Sequence, residues 1–240
     1  MISGIKHFFS GFTLIFSQGL KRFVLIPLAI NISIFALGFW LGMEWFDRFL
    51  VKMLPTWLAW AEFILWPIFA LSYFLIVFYL FALIANIIAA PFNGLLAEKV
   101  ELSLRNDSSQ NNQSAIKQLL KELPRTVGSE IYKLFYFLLR SLPILILFLI
   151  PGINLIAPII WFAFSAWMLS LEYLDYPLGN HGIFFKQTRV LAKQQRARCL
   201  SFGALVSVFT MIPVLNFIVM PVAVAGATAL YVDSIHPIQE

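Results

Sequence analysis

The chain is 240 residues long, 60% hydrophobic and only 12% charged, with a mean hydropathy of +0.85. A soluble domain carries about 25% charged residues, and no water-soluble fold hides this much apolar surface, so the bilayer must be part of the solvent. The net charge of +5 is spread along the chain without a nucleic-acid-binding pattern; it points first to cytoplasmic loops and anionic headgroups and second to an anionic substrate.

Residues 1–18 place Ile5, Phe8, Phe9, Phe12, Ile15 and Phe16 at helical spacing, with Ser3, Lys6, His7, Ser10 and Ser17 elsewhere on the wheel. The core of a signal peptide would be continuously apolar, so this reads as an amphipathic helix lying in the headgroup plane. Residues 23–43 carry no charge and give a helix of about 31 Å, enough to cross hydrocarbon, with Pro27 in its first turn. Gly38 and Gly42 form a small-residue pair, either incidental or a dimer face. The Trp-rich connection Glu44–Glu62 belongs at the far interface. A second spanning helix covers 63–97; its uncharged stretch, bracketed by Pro67 and Pro91, is long enough to tilt or to project from the membrane.

Asn106–Ser114 is a polar hinge. Over 115–140 apolar residues recur at helical spacing with Lys117, Lys121, Arg125 and Lys133 between them, an amphipathic helix that Pro124 kinks or breaks. Two apolar segments follow, 142–174 and 200–232. Each is interrupted by Ile-Pro-x-(Ile/Leu)-Asn, at Ile150–Asn154 and Ile212–Asn216, and each carries a second proline, Pro158 or Pro221. One straight helix over such a length reaches about 45–50 Å, while two full crossings need about 40 residues. The arithmetic favours two re-entrant helical hairpins turning at Pro-x-x-Asn over single kinked, tilted helices. Broken backbone at membrane depth must line a cavity or pore, which makes Asn154 and Asn216 pore candidates.

With two full crossings, the loop holding Arg48 and Lys52 lies opposite the other 15 of the 17 basic residues. The positive-inside rule then puts both termini in the cytoplasm. The expected fold is all-α and integral to the membrane, one domain over 1–240, with two long transmembrane helices, two re-entrant hairpins and amphipathic interfacial helices.

Gly19-Leu20-Lys21-Arg22 precedes the first spanning helix. A helix start offers free N–H groups and a positive dipole end, and Arg22 and Lys21 add charge, so the segment suits an oxyanion or a lipid phosphate. Glu98, Glu101 and Arg105 share one helix face, which is either a solvated surface contact or, at a pore mouth, a gate. Acids such as Glu172 and Asp175 at a membrane edge are usually wet; Asp175 suits a cap for the next helix and Pro177 a stop for the previous one. His181 has no neighbouring His or Cys at metal-ligand spacing. No nucleophile triad, metal motif or phosphate loop is present, and no cofactor is implied. The basic run Lys186, Arg189, Lys193, Arg196 and Arg198 reads as lipid or cytoplasmic-face contact.

Leu65-Trp-Pro67, Ile87-Ile-Ala-Ala-Pro-Phe-Asn-Gly-Leu-Leu-Ala-Glu98, Ile150-Pro-Gly-Ile153, Trp161-Phe-Ala-Phe-Ser-Ala-Trp-Met-Leu169, Asp175-Tyr-Pro177 and Met220-Pro-Val-Ala-Val-Ala-Gly-Ala-Thr228 closely resemble the CysZ family, over nearly the whole chain and in the same order. The resemblance implies sulfate uptake for cysteine synthesis across the bacterial inner membrane, without ATP hydrolysis by the protein itself. It also implies a helical homo-oligomer with two long spanning helices and two partly penetrating helix pairs. Its sulfate-binding stretch, Gly-Leu/Ile-Arg in the family, falls here on Gly19, Leu20, Lys21 and Arg22. Two other classes remain: a membrane enzyme acting on lipid, against which the missing catalytic constellations count, and a membrane scaffold or regulator of sulfate assimilation with no flux of its own.

Overall fold

The computed structural model describes residues 2–17, 19–53, 62–106 and 115–235. Among these lie eight α-helices: α1 (Ile2–Ile15), α2 (Lys21–Met53), α3 (Glu62–Arg105), α4 (Ala115–Leu147), α5 (Ala157–Gly179), α6 (Phe185–Gln194), α7 (Arg196–Thr210) and α8 (Pro213–Ser234), with a 3₁₀ turn at Ile153–Leu155. Residues 54–61 of the far-interface connection and 107–114 of the polar hinge lie outside the described residues; the connection's first part, to Met53, continues α2. The chain forms two compact units, one of Arg22–Phe92 and one of Met1–Lys21 with Asn93–Glu240.

In the smaller unit α2 and α3 run antiparallel. The Tyr73 hydroxyl donates to the Gly38 carbonyl at 2.6 Å, Phe46 stacks flat on Phe69 with centroids 3.3 Å apart, and the same ring lies 6.3 Å from that of Trp66. The space above Gly42 is filled by the Tyr73 ring, so the small-residue pair receives a tyrosine of its own chain. Outward, Leu25, Ile32, Leu37, Trp40, Phe63 and Leu71 are exposed, as lipid-facing side chains are. Pro27 sits inside α2, beyond its first turn, because the helix begins at Lys21; it removes one ladder donor within the apolar run.

The larger unit is two helical hairpins with α1 laid against them. In the first, α4 and α5 are antiparallel: Phe137 stacks on Phe164, and nearer the turn Phe148 meets Trp161. In the second, Phe202 of α7 touches Gly226 of α8, and near the open end the Arg198 guanidinium donates to the Ser234 hydroxyl. The hairpins pack through α5 and α7, where Gly203 lies against the Ala166 carbonyl with no room for a side chain. The end of α7 and the start of α5 line one groove, so both turns lie at the same end of the unit and both open ends at the other.

Several expectations are corrected in detail. α4 runs unbroken from Ala115 to Leu147, so Pro124 does not end it, and the amphipathic stretch over 115–140 and the first hairpin arm are one helix. The second break falls at Met211–Ile212. Pro213 opens α8, and Asn216 lies within that helix rather than in the turn, because proline is suited to a first helical turn and there terminates nothing. For the same reason of context, α5 continues through Pro177 to Gly179 and holds Asp175 inside it; Asp175 caps no helix. In α1 the buried face is Gly4, His7, Phe8, Gly11 and Ile15, while Ile5, Phe9 and Phe16 are exposed. Gly11 brings the α1 backbone against the Val222 carbonyl, and Phe8 sits among Phe12, Phe202 and Phe209. The buried face thus combines close-approach glycines with the Phe8 ring, while the rings of Phe9 and, just beyond the helix, Phe16 are left outside.

Candidate functional site

The segment before α2 turns sharply. Gly19 has φ +88° with open space around its α-carbon, so the glycine is there for its backbone conformation and not for room. The Leu20 amide bonds back to the Ser17 carbonyl at 3.3 Å, and the Leu20 side chain is buried. Lys21 opens α2, and the first turn of any helix has amide donors with no intrahelical partner. The boundary between the two units falls between Lys21 and Arg22. Both side chains are exposed; among the described residues neither has a carboxylate partner, and the Arg22 guanidinium lies 5.0 Å from the Phe23 ring centre.

Glu98 stands apart from Glu101 and Arg105, which pair. Among the described residues Glu98 reaches only Lys99, at 3.9 Å. Glu101 is buried, at 7% exposure, which corrects its reading as a solvated contact. Arg105 Nε lies 2.9 Å from its Oε1, and His181 Nε2 lies 3.0 Å and 2.8 Å from its two oxygens. The Tyr231 ring completes the group, 5.6 Å from the His181 ring and 5.8 Å from the Arg105 guanidinium. The Asn180 amide donates to the Gly94 carbonyl at 2.9 Å, so the end of α3 is clipped to the end of α5. The carboxylate thus ties α3 to the α5–α6 loop, and its two partners carry the contact on to Tyr231 of α8. Nothing in the sequence signals His181 as the partner, since the two residues are eighty positions apart.

A second group was not legible in the sequence. Lys133, placed on the polar face of an amphipathic helix, is buried at 8% exposure. Its ammonium lies 2.9 Å from Glu130, 2.8 Å from Glu172 and 3.3 Å from Asp175. Burial alone would lower its pKa, but the Glu172 and Asp175 carboxylates outweigh that and raise it. One cation holds three anions at the open end of the first hairpin. The Asn93 amide reaches the Tyr176 hydroxyl nearby at 3.4 Å.

At the other end of the unit the turns carry few polar groups. Asn154 is exposed, and its amide bonds to the Ile150 carbonyl at 3.0 Å; the side chain of Asn216 is not among those described. Behind the turns lies an open groove of about 360 Å³ lined by Phe137, Trp161, Met168 and Met211 with the hydroxyls of Ser165, Ser207 and Thr210. Thr210 spends its hydroxyl on the Ser207 carbonyl at 2.8 Å. Among the described residues no group of His, Cys, Asp or Glu could hold a metal ion.

Two helices among the described residues, Lys21–Phe46 and Ala157–Gly179, are long and apolar enough to cross a membrane. All-helical architecture, apolar side chains exposed along the longest helices and ionisable groups drawn to the open ends of hairpins together define a membrane-embedded helical protein. The family model described as "Sulfate transporter CysZ/Etoposide-induced protein 2.4" matches residues 7–221, and the chain belongs to that family. A protein of Pectobacterium atrosepticum described as sulfate transporter CysZ is 44% identical over 236 residues, covering 96% of this chain and 85% of the relative. A protein of Salmonella typhimurium of the same description is 44% identical over 235 residues, covering 96% of this chain and 92% of the relative. By family the chain is a transporter rather than an enzyme.

Proposed function

We propose that the chain is a sulfate permease of the bacterial inner membrane, passing sulfate by a channel-like or facilitated route and supplying it for cysteine biosynthesis. The observation that carries this reading is the 44% identity to sulfate transporters across 96% of the chain. Sulfate cannot enter hydrocarbon bare, because removing a doubly charged ion from water costs far more than any single contact returns. It needs several donors at the membrane edge. Gly19, Leu20, Lys21 and Arg22 supply them in this reading: Gly19 turns the backbone at φ +88° into the start of α2, the first amides are unspent, and Arg22 offers a planar fork. Past this point the hairpins enter from the cytoplasmic side and do not cross, both termini stay in the cytoplasm, and copies of the chain assemble into a homo-oligomer. Glu98, Glu101, Arg105, Asn154 and Asn216 are the polar groups assigned to the passage.

The test is uptake of labelled sulfate into liposomes carrying the purified chain. Uptake above that of empty liposomes, and lower with Arg22→Ala and with Lys21→Ala, supports the permease and its binding element. Sulfate binding without uptake would instead favour the scaffold or regulator. Unchanged uptake in both variants would move the binding element elsewhere.

A further inference from the structure

We propose that the open end of the α4/α5 hairpin, with α6 beside it, is a binding site for the headgroup of an anionic phospholipid, held by Arg140, Arg189, Lys186 and Lys193. It rests on the membrane placement of the chain and not on sulfate flux.

The site is built around one tyrosine. The guanidinium of Arg189, on α6, lies 4.9 Å from the centre of the Tyr136 ring and 5.9 Å from that of Tyr132. The Arg140 guanidinium lies 5.5 Å from the same Tyr136 ring. Two guanidiniums on one ring repel unless an anion offsets them. Among the described residues neither has a carboxylate partner: the acids of this hairpin end, Glu130, Glu172 and Asp175, are all drawn to Lys133. Lys186 and Lys193 add two exposed cations on α6 with exposed Val190 between them on the same face. No acidic residue occurs from Lys186 to Arg198. Phe185 seats α6 against α4, packing on Tyr132 and Tyr136, so these charges are fixed relative to the hairpin.

What makes the anion a lipid is the apolar surface alongside. Tyr132, Phe135, Leu139, Leu142 and Ile146 are all exposed and, spaced i, i+3, i+7, i+10 and i+14, form one stripe along the flank of α4 that begins at the ring Arg189 faces. It runs for about 21 Å, against about 15 Å of hydrocarbon in one leaflet. A free oxyanion has no use for such a stripe; an acyl chain does. Tyrosine with arginine or lysine is also the usual composition of the headgroup level.

Purified full-length chain in neutral detergent is titrated with phosphatidylglycerol or phosphatidylcholine, and bound lipid is counted by native mass spectrometry. The parent is expected to retain phosphatidylglycerol in preference. Arg140→Gln with Arg189→Gln is expected to lose that preference by about fivefold per charge removed. Lys186→Gln with Lys193→Gln, at exposed positions that leave folding untouched, is expected to lose it in the same proportion and decides the matter should the arginine pair misfold. Equal retention of the two lipids by the parent, or preference unaltered in the lysine pair, overturns the proposal. Displacement of phosphatidylglycerol by inorganic phosphate also overturns it, since that marks a free-oxyanion site. Sulfate uptake by the parent is a separate readout, so failure here and failure of the permease reading are distinguishable.

Discussion

The two buried charges that tie the larger unit together differ in how much their loss should cost. Removing Lys133 leaves three carboxylates facing one another, with Asp175 the most enclosed, at 18% side-chain exposure. Lys133→Met should destabilise by about 3 kcal/mol, the low end for breaking a buried pair, because Glu130 and Glu172 can rehydrate. Glu101→Gln leaves only Arg105 and His181, both nearly half exposed, and should cost about 1 kcal/mol. Thermal unfolding of the detergent-solubilised protein checks the order, with Lys133→Met melting at the lower temperature. Gly19→Ala should cost about 1 kcal/mol through its positive φ alone, as no neighbour obstructs the added methyl. The sequence marks Gly19–Arg22 by its place before an uncharged run, and the Glu101–Arg105 pair by its spacing. It does not mark Lys133 or His181 as buried, because a charge between apolar positions reads as solvated until the partner helix is known.

At the level of helices, apolar length and paired prolines point to a break in each of the two segments, and the chain does break near both prolines. Residue pattern does not say on which side of the break a proline falls. Pro151 lies between α4 and α5, whereas Pro213 already belongs to the next helix. The small residues that let helices touch are equally silent until their neighbours are known. Gly203→Val should separate α5 from α7 and lower the yield of folded protein, since the new side chain would occupy the Ala166 carbonyl. Gly38→Ala, where nothing obstructs the new methyl, should be neutral or stabilise by up to about 1 kcal/mol; yield and melting temperature of the two variants compare them. Whether the hairpins stop within the bilayer is open to thiol labelling. The native thiol of Cys199 is buried, so the background is silent. Leu155→Cys and Met211→Cys, both highly exposed in the protein itself, should resist a water-soluble maleimide in vesicles, whereas Lys193→Cys should react. Rapid labelling at both turns from the outside would mean that the hairpins cross.

Taken whole, the chain shows how composition alone places a protein in the bilayer while saying little about its interior. Apolar excess and the distribution of 17 basic residues are enough for the membrane class, and long blocks of family-like sequence are enough for the transporter. Sulfate uptake into liposomes should therefore depend on the chain and fall with Arg22→Ala, by the flux assay set out above. The arrangement of the larger unit carries one more consequence. Its polar ties from Lys133 to the acids of α5, from Arg198 to Ser234 and from His7 to Asp233 all sit away from the turns, and its apolar turns sit together at the opposite end. Such a structure resembles a pair of tweezers riveted at the handles. Urea, confined to water, meets the rivets first, while detergent acts on the points; the two agents should therefore dismantle the molecule from opposite ends.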